Sequence, residues 1–367
     1  MNMPPLVEIL RTMEPKKASD IHLQTHVPPM FRIQGKITHM TEFPVVDETW
    51  LLDEIHKLLP EKLLKTLDDE GTVDLAYGFP NIGRFRFSIF RQRGNVALVA
   101  RRISGRIPDF EHLNLPPSTG KISEFINGLV LVTGPTGSGK SSTLAAVVNK
   151  INKTRECHIL CIEDPIEFLY KNERSVITQR EIGIDVSSFE TALRGAVRQD
   201  PDVILAGEIR DRHTVEFALH SAETGHLVFA TLHSSNASQT ISRILNFFPQ
   251  SEHHALRKAL HLNLRAIISQ VLLPSAREET PVVPAVEILF NTPVIGRLIV
   301  EERDERIVKA IQAGKVDGMQ DFEWSLYRLK EDGFITQETA LLYAENPHSL
   351  EMKFNGIFIA DEGGIIT

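Results

Sequence analysis

Two cysteines in a chain of 367 residues are too few for a disulfide framework. Their spacing, Cys157 and Cys161 in CHILC, fits no paired zinc module either. The neighbours Ile159, Leu160 and Ile162 read as a buried strand with both thiols on one face. No unbroken apolar segment approaches the length of a membrane span. The opening residues MNMPPLVEILRTMEPKKASD lack the basic start and apolar core of a secretion signal, so a cytoplasmic location is the expectation. Positive charge is short as well: the formal net charge is −8, which argues against bulk attraction to nucleic acid. Low-complexity tracts and short repeats are absent. The chain does have an ordinary globular composition, 42% hydrophobic and 24% charged, and length for two domains.

Residues 1–103 read as a small α+β unit. SDIHLQ and PMFRIQGKITHM are short strands with a turn at Gln34 and Gly35. ETWLLDEIHKLLPEKLLKTL sets Leu51, Ile55, Leu58 and Leu59 at helical spacing. TVDLAYGF, RFRFSIF and NVALVARRI return to strands. In RFRFSIF, Phe85, Phe87 and Ile89 share one face and Arg84, Arg86 and Ser88 the other. Linker composition follows in SGRIPDFEHLNLPPST, with Pro108, Pro116 and Pro117, and the expected division is 1–112 and 113–367. Beyond it, apolar strands alternate with glycine-rich turns and helices, the pattern of a mostly parallel, doubly covered sheet. The expected class is therefore α/β. The final third reads as helix-rich, with EHHALRKALHLNLRAIISQVLL and RDERIVKAIQAG.

GPTGSGKS, Gly134 to Ser141, matches the phosphate-binding pattern G-x-x-x-x-G-K-[ST] without a mismatch. It lies between an apolar strand and a helix carrying Leu144, Val147, Val148 and Ile151 on one face. A loop of Gly134, Pro135, Thr136, Gly137, Ser138 and Gly139 is bare because backbone N–H groups must close on an anion. The helix dipole adds to that attraction. Lys140 can reach the β- and γ-phosphates of ATP and Ser141 can ligate Mg²⁺; the expected ATP-binding stretch runs from Gly134 through Ser142.

Hydrolysis needs acids as well. CIEDPIEF ends a strand with Glu163, Asp164 and Glu167, and QDPDVILAGEIRD ends another in Gly207 and Glu208. Carboxyl ends of parallel strands line the ligand crevice, which puts both beside the loop. A surface pair with Arg210 is the plainer role for Glu208, and a polar strand end that for Glu163. GHLVFATLHSS adds His226 and His233 around a further strand; His233, at its end, is placed to sense the γ-phosphate or to serve structure alone. Arg84, Arg86, Arg91, Arg93, Arg101, Arg102 and Arg106 crowd one region without a lysine. Guanidinium forks suit phosphate oxygens, although a solvated strand face or a nucleic-acid groove would also collect arginines. The net charge and the inward phenylalanines weigh against the groove.

Taken together, GPTGSGKSSTLA, IEDPIEF, LRGAVRQDPDVILAGEIRD and SAETGHLVFATLH resemble the Walker A, Asp box, Walker B and His box of the hexameric secretion-type ATPases that drive type IV pili. The similarity is nearest to the retraction branch, PilT and PilU, and covers nearly the whole chain, ASDIHL included. It implies a PAS-like N-terminal domain, a RecA-like C-terminal domain, a ring of six, and ATP with Mg²⁺ bound between the domains. It implies Glu163 as the general base, Glu208 as the Mg²⁺ support alongside Ser141, and His233 as the coupler of phosphate state to the domain interface. N-terminal arginines, with Arg84, Arg86 and Arg101 as candidates, would complete the site in trans. The expected partners are further copies of the chain, an inner-membrane platform protein at the cytoplasmic face and a paralogous retraction ATPase, with no nucleic acid. Assembly and secretion ATPases often carry a four-cysteine zinc module and a longer N-terminal region, neither of which is present. Where the retraction branch usually carries AIRNLI this chain has VIGRLI, Val294 to Ile299, which leans toward an accessory, PilU-like role. The tail HSLEMKFNGIFIADEGGIIT runs past the usual core.

Overall fold

A strand that alternates phenylalanine with arginine can bury only one face, and that governs the N-terminal unit. A computed structural model of the protein describes residues 3–103, 107–359 and 365–366; Arg106 and most of the last eight residues lie outside these. The chain divides into two compact units, Met1–Arg106 with Pro165–Leu169, and Ile107–Asp164 with Tyr170–Thr367.

In the first unit, β1 (Ala18–Gln24), β2 (Met30–Ile33), β3 (Lys36–His39), β4 (Thr72–Phe79), β5 (Gly83–Gln92) and β6 (Asn95–Ile103) form one sheet in the order β3-β2-β1-β6-β5-β4. Every pairing is antiparallel. Helices α1 (Leu6–Arg11), α2 (Glu48–Leu58) and α3 (Glu61–Glu70) complete the unit. Phe85, Phe87 and Ile89 are fully buried and share a core with Leu51, Ile55, Leu58 and Leu59. The leucine-rich helical stretch breaks at Pro60, which has no amide hydrogen and holds Leu59 extended (φ −93°, ψ 130°). Phe87→Ala is expected to cost about 3–5 kcal/mol, read as a lowered denaturation midpoint for this unit.

The second unit holds β7 (Gly128–Thr133), α4 (Lys140–Thr154), β8 (His158–Glu163), β9 (Val176–Glu181), α5 (Phe189–Ala196), β10 (Val203–Glu208), α6 (Arg212–Glu223), β11 (Leu227–Leu232), α7 (Ala237–Leu245), α8 (His253–Asn263), β12 (Leu264–Pro274) and β13 (Val282–Phe290). Its sheet runs β13-β12-β7-β11-β10-β8-β9. Only β13 is antiparallel to its neighbour. The α/β class with a mostly parallel sheet is thus the observed architecture. Strand β7 is buried along its whole length, as a sheet covered on both faces requires. Cys161 is buried in β8, where desolvation pushes its thiol well above the ordinary range; Cys157 stands just before that strand.

One expectation needs correcting. EHHALRKALHLNLRAIISQVLL is not helical throughout: α8 ends at Asn263, and LRAIISQVLLP is β12, the strand beside β7. A continuous apolar run fits a buried helix and a buried strand alike, and the sheet position decides. The remaining helices are α9 (Pro293–Val300), which contains VIGRLI, α10 (Ile307–Ala313), α11 (Phe322–Glu331), α12 (Gln337–Tyr343) and α13 (Pro347–Phe354). The last three close a separate apolar cluster around Leu326, Leu329 and Leu350. No described helix is long and apolar enough to cross a membrane.

Candidate nucleotide site

Four adjacent parallel strands, β7, β11, β10 and β8, bring their carboxyl ends to one edge of the sheet. They end respectively in Thr133 before Gly134, in Leu232 before His233, in Glu208 and in Glu163. Parallel direction alone therefore collects four segments that lie far apart in sequence.

The loop after β7 has the conformation its glycines permit. Gly134, Gly137 and Gly139 have φ of 147°, 79° and 88°. A side chain at Gly134 would collide with the Gln270 carbonyl oxygen. Lys140 opens α4 and folds back over the loop. Its Nζ donates to the carbonyls of Gly134 (2.8 Å) and Pro135 (3.0 Å) and stands 3.5 Å from His233 Nδ1. His233 Nε2 lies 3.2 Å from Glu208 Oε1. An ammonium only donates, so Nδ1 must accept and Nε2 donates to the carboxylate. The result is a directed chain, Lys140 to His233 to Glu208. Ser141 and Ser142 lie in the first turn of α4, Ser141 exposed and Ser142 half-buried. Pro135 and Thr136 are exposed, and Ser138 is buried with no partner for its Oγ among the described residues.

Glu208 owes its aim to a bulge. The β10–β11 register shifts between Leu205 and Glu208, and Gly207 takes φ 54°. A Cβ at Gly207 would approach the Ile162 carbonyl oxygen to 3.0 Å. Arg210 shares the carboxylate, Nε to Oε2 at 2.9 Å, and reaches Asp164 at 3.7 Å. The Glu208 hydrogen bond raises the Arg210 pKa further. Glu208 therefore makes the plain pair with Arg210 and also faces His233. Glu163 accepts from Gln179 Nε2 of β9 at 3.0 Å.

Other expected residues fall elsewhere. His226 precedes β11, at the opposite end from His233, and its Nδ1 closes the turn after α6 against the Ser221 carbonyl (2.9 Å). Glu167 lies in the segment grouped with the N-terminal unit and is exposed there. In that unit Arg101 pairs with buried Asp20 at 2.7 Å, Arg91 with Asp68 at 2.6 Å and Arg102 with Glu14 at 2.8 Å. Burial opposes ionisation of Asp20, but hydrogen bonds from Ser19 and Arg101 and the charges of Arg101 and Arg32 outweigh it and lower its pKa. Arg84 Nε donates to the Ile166 carbonyl at 3.4 Å, and Arg86 lies opposite Arg101 in the β5–β6 ladder. Arg93 occupies a turn at φ 50°.

Sequence reasoning missed Gln270. It is buried in β12, donates to the Ser138 carbonyl at 2.6 Å and accepts from Thr143 Oγ1 at 2.9 Å. The loop is thus braced from the neighbouring strand. The available signal was two consecutive polar residues, Ser269 and Gln270, inside an apolar run.

The family model for type II/IV secretion system proteins matches residues 5–288. The chain belongs to that family. It is 38% identical over 345 residues to the type IV pilus ATPase PilU of Pseudomonas aeruginosa, covering 94% of this chain and 90% of that one. To the type IV pilus retraction ATPase PilT of the same organism it is 38% identical, with 94% and 99% covered. A crystal structure of the pilus retraction motor PilT with bound ADP superposes with a TM-score of 0.89 at 41% identity, covering 95% and 99%. The relatives are ATPases, and the N-terminal unit and RecA-like unit are those of this structural family.

Proposed function

We propose that this protein is a Mg²⁺-dependent ATPase that works as a ring of six copies and powers type IV pilus retraction. The observation that carries the reading is the Lys140–His233–Glu208 chain at the lip of the glycine-rich loop, with Glu163 on the same sheet edge. The names of the relatives support the mechanical output. The bare loop and Lys140 would hold the phosphates. Ser141 and Glu208 supply the hard oxygen donors that suit Mg²⁺, which when bound offsets phosphate charge. Glu163 takes the proton of the attacking water, and His233, hydrogen-bonded to Glu208, reports the phosphate state to the loop leading into α7. Arginines of the N-terminal unit, Arg84, Arg86 or Arg101, would complete the nucleotide site of a neighbouring copy. The ring would sit at the cytoplasmic face of the inner membrane against a platform protein and make no use of nucleic acid.

An accessory, PilU-like role beside a paralogous retraction ATPase is the second reading. It is favoured by VIGRLI: any side chain at Gly296 would enter the His261 ring, so this helix excludes the arginine usual in that stretch. An assembly or type II secretion ATPase, or a regulatory ring subunit with little turnover, are the alternatives to be separated. Purified protein with ATP and Mg²⁺ should release phosphate and scatter light as a particle near six chains. A stable, fully active monomer would defeat the ring, and absence of turnover would favour the regulator. Deleting the gene should leave excess pili; loss of pili would indicate assembly instead.

A further inference from the structure

Glu287 lies in the middle of β13, and only 2% of its surface is exposed. A carboxyl group this deep needs partners. The backbone N–H of Ala237, the first residue of α7, donates to Oε1 at 2.7 Å. Ser269 of β12, directly opposite in the ladder, hydrogen-bonds the same carboxyl group. Ser269 Oγ in turn accepts from Thr133 Oγ1 at 3.0 Å, and Thr133 is the last residue before the phosphate loop. The carboxyl group thus terminates two lines. One runs through Ser269 and Thr133 to the root of the loop at Gly134. The other runs through Ala237 to the segment 233–236, which begins at His233.

From this geometry we infer that Glu287 is a positioning residue that holds the phosphate loop and the His233 segment in one register, although it touches neither nucleotide nor water. The inference rests on the ATPase reading for its consequence in turnover, but the coupling itself is a property of the fold.

The titratable groups that face Glu287 are acidic: Asp321, which caps α11 and accepts from Gln312 of α10, and Glu345, just after α12. From α7 and β12 come the neutral donors Ala237 and Ser269. Desolvation first, then those two acids, raise the Glu287 pKa from 4.5 to about 7 against the hydrogen bonds that lower it. Above that pH the group is ionised, and an ionised acceptor holds its donors more tightly than a neutral one. Registration is therefore firmest above pH 7 and loosens below it. The linkage to stability has the opposite slope. The unfolded chain releases this proton near pH 4.5 and the folded chain near 7, so the group's contribution is full below the first value and is lost as pH rises through the second.

Glu287→Gln keeps the shape and an acceptor oxygen but is neutral at every pH. At pH 8 its turnover should fall on the order of 10-fold, with KM for ATP changed less than about two-fold. Its rate profile should lose an inflection near pH 7 that the wild type shows. Amide hydrogen exchange, which does not depend on turnover, should rise both at 237–240 and at 133–140. Ser269→Ala, which cuts one line only, should raise exchange at 133–140 and leave 237–240 protected. Wild-type exchange at 133–140 in Glu287→Gln would overturn the coupling. Altered exchange with unchanged turnover and pH profile would overturn its role in catalysis. Loss of turnover in the wild type itself would instead remove the ATPase reading, leaving the exchange result to stand alone.

Discussion

Lys140→Ala should lower ATP turnover by at least about 10²–10³-fold and weaken nucleotide binding, while the sheet stays folded. The side chain is half-buried at the start of α4 and donates to two loop carbonyls. Its removal leaves no buried cavity, because the loop itself is exposed at Pro135, Thr136 and Gly137. What disappears is the one charge that the loop, built from backbone and glycine, cannot supply for itself. The His233 ring also loses a donor at Nδ1, so its tautomer is free to reverse and its hold on Glu208 slackens. Phosphate release and binding of a fluorescent ATP analogue measure the two effects separately. Wild-type turnover in Lys140→Ala would remove the phosphate-loop assignment and the proposed activity with it.

Glu163→Gln should bind ATP and fail to hydrolyse it, with a rate loss on the order of 10²–10⁴. The amide retains a carbonyl oxygen for the Gln179 hydrogen bond that now meets Oε1, so position is kept and basicity is lost. Glu208→Gln should behave differently. That carboxylate is shared between Arg210 and His233, and the amide removes the negative charge that both partners face and keeps an acceptor for only one of them. The expected readout is a shifted Mg²⁺ requirement. If a Mg²⁺ titration moves for Glu163→Gln and not for Glu208→Gln, the two roles are exchanged.

The glycine-rich loop, the acidic strand ends and the histidine are legible in the sequence because each is local. A glycine pattern, a strand ending in an acid and a strand ending in histidine need only nearest neighbours to be recognised. Parallel strand direction then implies that they meet, since all carboxyl ends share one edge. The alternation in RFRFSIF likewise identifies the buried face of β5, because a strand has a period of two.

Other features have no local signal. The strand β12 reads as a continuation of α8 because its apolar residues run almost without a break, and only its place beside β7 distinguishes the two. With β12 read as helix, Gln270 and Ser269 are invisible as braces of the loop, since a polar residue gains meaning from what lies across the sheet from it. The arginines behave in the same way. Composition shows a lysine-free cluster, but which members pair with Asp20, Asp68 and Glu14 depends on which acids the fold brings near. His226 and His233 flank one strand in sequence, and the strand's length sends them to opposite edges. Glu287 is the extreme case: a glutamate in an apolar run carries no hint of its burial or of the two lines it ends. The sequence alone thus determined the chemistry along each strand. The tertiary structure decided which strands are neighbours, and so which polar groups are paired, because hydrogen bonds between distant segments are set by sheet order and register, and local propensity encodes neither.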